Sequence, residues 1–222
     1  MLKYEITDIQ HPEDPQLFRI RALRNIPRID VKKGDLGGYI EHEGNLSHAG
    51  NCWIGSDTGV FENASVLDNA IVFGNALVFG NALVYGNSGV YDSAHIFGNA
   101  RVYRTARIYG TAQVYANAFV YGNARVYENA QIFGNARVCN SSRVYGDAQV
   151  YGNSKVSGKS CIHGNVTVSE NMKISEISEI ASQDQIYYVD GVTAYFNKRK
   201  TLIVNGTGKL KYHETLARLK LL

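Results

Sequence analysis

The chain has 222 residues, 24.5 kDa, 45% apolar content, 19% charge and a formal net charge of +3. That is enough for one domain with its own core, which excludes a long disordered chain, and no apolar run is long enough for a transmembrane helix. The pI near 8.6 comes without a concentrated Lys/Arg patch, and the N-terminal MLKYEITDIQ lacks a basic-then-apolar leader pattern. A cytoplasmic protein is therefore expected, with no membrane contact and no bulk nucleic-acid binding.

Residues 1–45 mix apolar positions (Phe18, Ile20, Ala22) with basic ones (Arg19, Arg21), followed by the Gly-rich run KKGDLGGYIEHEGNLS. They carry no long period and read as an N-terminal cap.

Residues 46–186 form the repeat. From Ile54 to Ile174 every sixth residue is Val or Ile, through twenty-one hexads without an insertion. Four residues after each stands a small residue: Ala in thirteen cases between Ala64 and Ala148, and Ser or Thr in most others, with Val166 and Met172 the exceptions. Because strand side chains alternate between faces, the branched residue points inward and both its neighbours point outward. The pair between them, most often Gly-Asn as in Gly74-Asn75, suits a corner with positive φ. Each hexad is a short strand and a bend, and three hexads close an eighteen-residue triangular coil whose backbone bonds to the next coil. Seven coils at about 4.8 Å make a prism of roughly 34 Å. Ile180 and Ile186 keep the spacing and extend it toward eight coils.

Residues 187–222 read as a hairpin, VTAYFNKRKTLIVNG, and then an amphipathic helix near His213–Leu221, with Tyr212, Leu216 and Leu219 on one side. Two non-repeating ends guard the open strand edges against polymerisation. The basic run Lys198-Arg199-Lys200 falls at the hairpin tip.

A branched aliphatic followed four positions on by a small residue resembles the hexapeptide-repeat, left-handed β-helix superfamily. The resemblance implies an all-β, parallel left-handed β-helix of about seven to eight coils, although strand crossovers in general favour the right hand. The leader, the Gly-Asn-Ala-Arg-Val-Tyr coils and the terminal hairpin and helix are similar in layout to phage- and prophage-encoded hexapeptide-repeat proteins, some recorded as transferases. The superfamily further implies a homotrimer with ligands in clefts between subunits.

Function has to be written on the outward positions. Residues eighteen apart stack, so one face carries Arg107, Arg125 and Arg143 beside Tyr91, Tyr109, Tyr127 and Tyr145. A second carries Gln113, Gln131 and Gln149 beside Phe97, Tyr115, Phe133 and Tyr151. The third carries Arg101, Arg137, Lys155 and Lys173 with Tyr103, Phe119 and Tyr121. Guanidinium groups lying on neighbouring Tyr rings would offset their mutual repulsion. These rows either pack on themselves to support a narrow core or form a recognition surface, since Arg and aromatic side chains clamp anionic and nucleotide-like ligands. Ile71, Leu77 and Leu83, next to Phe73 and Phe79, form an apolar belt that either the cap or an identical subunit should cover.

Three functions are open at this point. The first is non-catalytic binding of a host protein or a small nucleotide-like ligand through these rows or through inter-subunit clefts, with no cofactor. The second, implied by the resemblance, is coenzyme A-dependent acyl transfer with a His as general base; His48 and His95 are its candidates and acyl-CoA its cofactor. The third is a structural phage component. Cys52, Cys139 and Cys161 share no eighteen-residue spacing and no metal motif, so unpaired thiols and no metal site are expected.

Overall fold

The computed structural model describes residues 2–55, 57–175, 178–189, 192–196 and 202–206. The chain opens with strands β1 (Tyr4–Gln10), β2 (Phe18–Ala22) and β3 (Leu36–Ile40). Twenty-two strands of two residues follow, from β4 (Trp53–Ile54) to β25 (Glu179–Ile180), and then β26 (Ile186–Val189), β27 (Val192–Phe196) and β28 (Leu202–Gly206).

The expected period is realised as a three-sided β-solenoid. Each two-residue strand pairs in parallel with the strand three further along the chain, as in Arg107↔Arg125 and Gln113↔Gln131, so the repeat per coil is eighteen residues. Three sheets result, of ten, eight and seven strands. All twenty-one hexad Val and Ile residues are fully buried, as are the thirteen Ala between them. Large and small side chains alternate around an interior too narrow for two large ones, which is why the composition repeats so strictly.

The corners explain the Gly and the acids. Gly122 has φ +73°, and a Cβ there would lie 2.8 Å from the backbone N of Asn140. Where this corner position is not Gly, an L residue sits in the left-handed region, as at Ala116 (φ 55°) and Glu128 (φ 58°). Several of these are acids whose carboxylates accept from the backbone one coil on. Asp92 takes the N–H of Gly110 at 2.9 Å, and Glu128 takes that of Gly146 at 2.9 Å. Along another edge the Asn that follows the corner forms a ladder, each Nδ2 donating to the Oδ1 eighteen residues on, from Asn63 through Asn81, Asn99, Asn117 and Asn135 to Asn153. Amide ladders of this kind turn exposed corners into continuous hydrogen-bonded edges.

The N-terminal segment caps the prism as expected. β1 and β2 pair antiparallel, and β3 then pairs in parallel with Gly59–Val60 of the first coil, so the cap is continuous with one solenoid sheet. Trp53, in an outward position of the first coil, is buried in one core with Ile26 and Val31 of the cap. Cap residue Arg28 reaches the next coils, donating to Asn69 O and Asn87 Oδ1.

At the far end the repeat stops one hexad earlier than its spacing suggests. A short 3-10 turn at Gln183–Gln185 turns the chain out of the coil, and Ile186 pairs antiparallel with Tyr195 instead of joining a solenoid sheet. The expected hairpin is present as β27–β28, and β26 completes a three-stranded sheet. The helix expected over 213–221 and the basic tip 198–200 lie outside the described residues.

Candidate functional site

The solenoid stacks identical hexad positions in register, so the outward columns are set by the eighteen-residue spacing. On the eight-stranded sheet one column reads Trp53, Ile71, Gly89, Arg107, Arg125, Arg143, Cys161 and Glu179. Beside it, one residue after each inward Val or Ile, runs the aromatic column. The rings of Tyr109, Tyr127, Tyr145 and His163 lie face to face, with centroids 4.7 to 4.8 Å apart and planes within 9° of parallel.

This geometry corrects the expected Arg-on-Tyr stacking. The rings already sit at the coil repeat of about 4.8 Å, so no guanidinium fits between them. Cation–π contacts form instead where a lone ring stands between Arg residues in one column: Phe119 has Arg101 at 5.7 Å and Arg137 at 5.6 Å. A third such contact joins Arg19 and Tyr39 in the cap at 5.0 Å.

Arg107, Arg125 and Arg143 are exposed, and among the described residues they form no ion pair. They stand as a ridge between two grooves. One, of about 430 Å³, is lined by the three Arg with Thr105, Asn123 and Ser141. The other, of about 470 Å³, is lined by Arg107 and Arg125 with Tyr91, Asp92 and Tyr109. Thr105 Oγ1 donates to Gly122 O at 2.8 Å and also contacts Asn123 Oδ1, which fixes the polar wall. Tyr91 leaves the ring ladder: it folds over Gly89, where a side chain would collide with its ring, and Arg107 Nη1 donates to its hydroxyl at 3.4 Å. The absence of a side chain at Gly89 therefore closes one end of the row.

Burial of the stacked rings, followed by the charges of Tyr109 and Tyr145, pushes the Tyr127 hydroxyl up to about 12. Tyr145 is raised for the same first reason. Tyr127 and Tyr145 therefore stay neutral phenols beside the Arg column through the physiological range.

The Gln113, Gln131 and Gln149 column is half-buried and lies on the ten-stranded sheet, not beside the Arg row. Its rings also stack, as in Tyr115–Phe133 at 4.9 Å and Phe133–Tyr151 at 4.7 Å. Ile71, Leu77 and Leu83 are half-buried on three different sheets, with Phe73 and Phe79 half-buried in the aromatic columns beside the first two. Phe79 is sandwiched between Phe61 and Phe97, and Phe73 packs against the core over Gly55.

The two candidate bases stand apart from the Arg row. His48 is stacked on Tyr4 at 4.3 Å, its Nδ1 accepts from the backbone N of Lys3 at 3.2 Å, and its Nε2 is buried; it packs the seam between cap and coil. His95 stands between Leu77 and Gln113 and forms no ion pair among the described residues. The histidine that does meet a carboxylate is His163, with Nε2 3.6 Å from Glu179 Oε1 at the end of the Arg row. The i, i+16 spacing that couples adjacent columns one coil apart was the signal for that pair. From Trp53 to Ile174 a strand recurs every six residues, so the described chain has no coil-breaking loop of the acyltransferase kind. The three Cys are free thiols, and the described residues contain no group of three metal-ligating side chains. Among the described residues no helix is long and apolar enough to cross a membrane.

A family model described as the YdcK beta-solenoid repeat matches residues 118–130 and 130–146, a stretch that includes Arg125, Gln131 and Arg143. No curated protein matches the chain. Stacked parallel strands, the eighteen-residue coil and this repeat match together make the chain a β-solenoid repeat protein.

Proposed function

We propose that this protein is a non-catalytic binding solenoid whose Arg107–Arg125–Arg143 ridge takes an anionic, nucleotide-type ligand. The observation that carries the reading is a row of three exposed guanidinium groups at the coil repeat that form no ion pair among the described residues, with a polar groove on one side and a tyrosine-lined groove on the other. Like charges at that spacing repel, so the arrangement costs folding free energy that an anion recovers. Phosphate oxygens match guanidinium forks, and an aromatic base can lie against the edges of Tyr91 and Tyr109. A left-handed winding, a homotrimer with clefts between subunits, a cytoplasmic location and a phage origin accompany this reading from the hexapeptide-repeat resemblance. An acidic host-protein surface is the alternative occupant of the same ridge.

Calorimetric titration of the full chain with a nucleoside triphosphate, at two salt concentrations, tests the proposal. Binding that weakens with salt and is lost in Arg107→Gln/Arg125→Gln/Arg143→Gln supports it. Absence of heat at millimolar ligand, or binding that the triple variant retains, overturns it. Capture of an acidic protein by the wild type but not by the triple variant would assign the ridge to the alternative occupant.

A further inference from the structure

Lys3 is completely buried, and among the described residues the only partner of its Nζ is the sulfur of Cys52, at 2.9 Å. A buried ammonium ordinarily finds a carboxylate or several carbonyl oxygens. Here it finds one thiol, itself buried, whose Sγ also lies 3.3 Å from Ser47 O. The pair is held from both sides. The backbone N of Lys3 donates to His48 Nδ1, its carbonyl accepts from Leu23 N at 2.9 Å, and Tyr4 Oη donates to Leu46 O at 2.7 Å. Nζ and Sγ therefore cannot drift apart without opening the seam between cap and first coil.

Burial lowers the Lys3 amine and raises the Cys52 thiol, each by more than their mutual attraction restores. Burial thus favours the uncharged form of each partner, and an amine faces a thiol at 2.9 Å, the two groups whose oxidation can join them. Their separation is shorter than an ordinary N–H···S hydrogen bond, close enough for one oxygen atom to bridge them.

We propose that Lys3 and Cys52 form an oxidation site at which dioxygen couples the lysine nitrogen to the cysteine sulfur through a single oxygen, giving a reversible N–O–S crosslink. One N–H bond and the S–H bond break, and one N–O and one S–O bond form. The second oxygen atom leaves as water with both hydrogens, so dioxygen takes the four electrons that nitrogen and sulfur give up. Two equivalents of hydrogen peroxide supply the same oxidation and leave three waters. A thiol reductant returns amine and thiol, as for other reversible cysteine oxidations. The crosslink ties residues 49 apart in sequence and fastens the N-terminal cap to the solenoid. Oxidised protein should therefore unfold at a higher temperature than reduced protein.

The test is intact-mass and peptide mapping of the full chain, air-saturated or treated with dilute peroxide, with and without dithiothreitol. The expected product gains about 14 Da, one oxygen in place of two hydrogens, and its Lys3 and Cys52 peptides are joined until reductant separates them. The gain persists in Cys139→Ser/Cys161→Ser and is absent in Lys3→Met. Cys52 that alkylates fully after denaturation of the oxidised sample overturns the proposal. So does a gain of about 32 Da at Cys52 with Lys3 unlinked, the signature of a sulfinic acid. Both readings come from wild-type protein, so the outcome stands even if Lys3→Met fails to fold.

Discussion

Tyr127 lies face to face with Tyr145, centroids 4.7 Å apart and planes 4° from parallel, while Arg125 and Arg143 pair in the same register on the adjoining column. Neither relationship needs the other: the rings stack because the coil repeat is close to the thickness of an offset aromatic pair. The arginines are left pointing at solvent. That division between a self-satisfied column and an unsatisfied one is what makes the Arg ridge, and not the tyrosines, the candidate site.

The stack predicts an alkaline limit to stability. Burial raises Tyr103, Tyr115 and Tyr145 above the ordinary 10.0, and raises Tyr121 and Tyr127 to about 12. Their folded values lie above their unfolded one, so their contribution is fully present below pH 10 and is lost as pH rises through 12. Thermal unfolding followed from pH 8 to 12 should show a flat midpoint that falls above about 10. A midpoint independent of pH across that span would contradict the burial of these rings.

Inward and outward positions should differ sharply in tolerance. Ala118 is fully buried, and Ala118→Leu should overpack the prism and cost about 1 to 3 kcal/mol or more. Gln131 is half-buried on an outward column, and Gln131→Leu should change stability by less than about 0.5 kcal/mol. Urea unfolding of both variants checks the register, and equal effects would reject it.

Corner substitutions should have opposite signs. Gly122→Ala places a Cβ 2.8 Å from the backbone N of Asn140 at φ +73° and should cost about 1 to 2 kcal/mol or more. Ala116→Gly relieves a left-handed L residue at φ 55°, and after the entropy of the unfolded chain is counted it should stabilise by up to about 1 kcal/mol. Differential scanning calorimetry separates the two directions.

The Arg ridge should be dispensable for folding. Arg125→Gln removes the middle of three like charges that have no ion-pair partner among the described residues, so stability should hold or rise by a few tenths of a kcal/mol, most at low salt. Chemical unfolding at low and high ionic strength reads this. A marked loss would mean that the guanidinium supports the fold.

What the linear chain determined is the solenoid. A Val or Ile every six residues and an Ala four further on can be buried together only if three hexads close a coil, so the register of every outward column follows from arithmetic. The Arg row, the Tyr row and the Gln row were legible for that reason, and the hairpin of β27 and β28 from its own alternation. Tertiary structure decided what those columns do with one another. Whether Arg stacks on Tyr depends on a coil spacing that rings already fill, and whether Tyr91 joins the ladder depends on the empty place above Gly89. Ile186 keeps the hexad spacing yet leaves the coil, because the turn at Gln183–Gln185 redirects the backbone. His48 reads as a free base until Tyr4 and Lys3 are seen packed against it, and Cys52 reads as an idle thiol until Lys3 arrives from 49 residues away. Periodicity encodes contacts that recur at a fixed separation, whereas a contact made once, between a cap and the coil it closes, has no repeat to announce it and depends on how the chain folds back on itself.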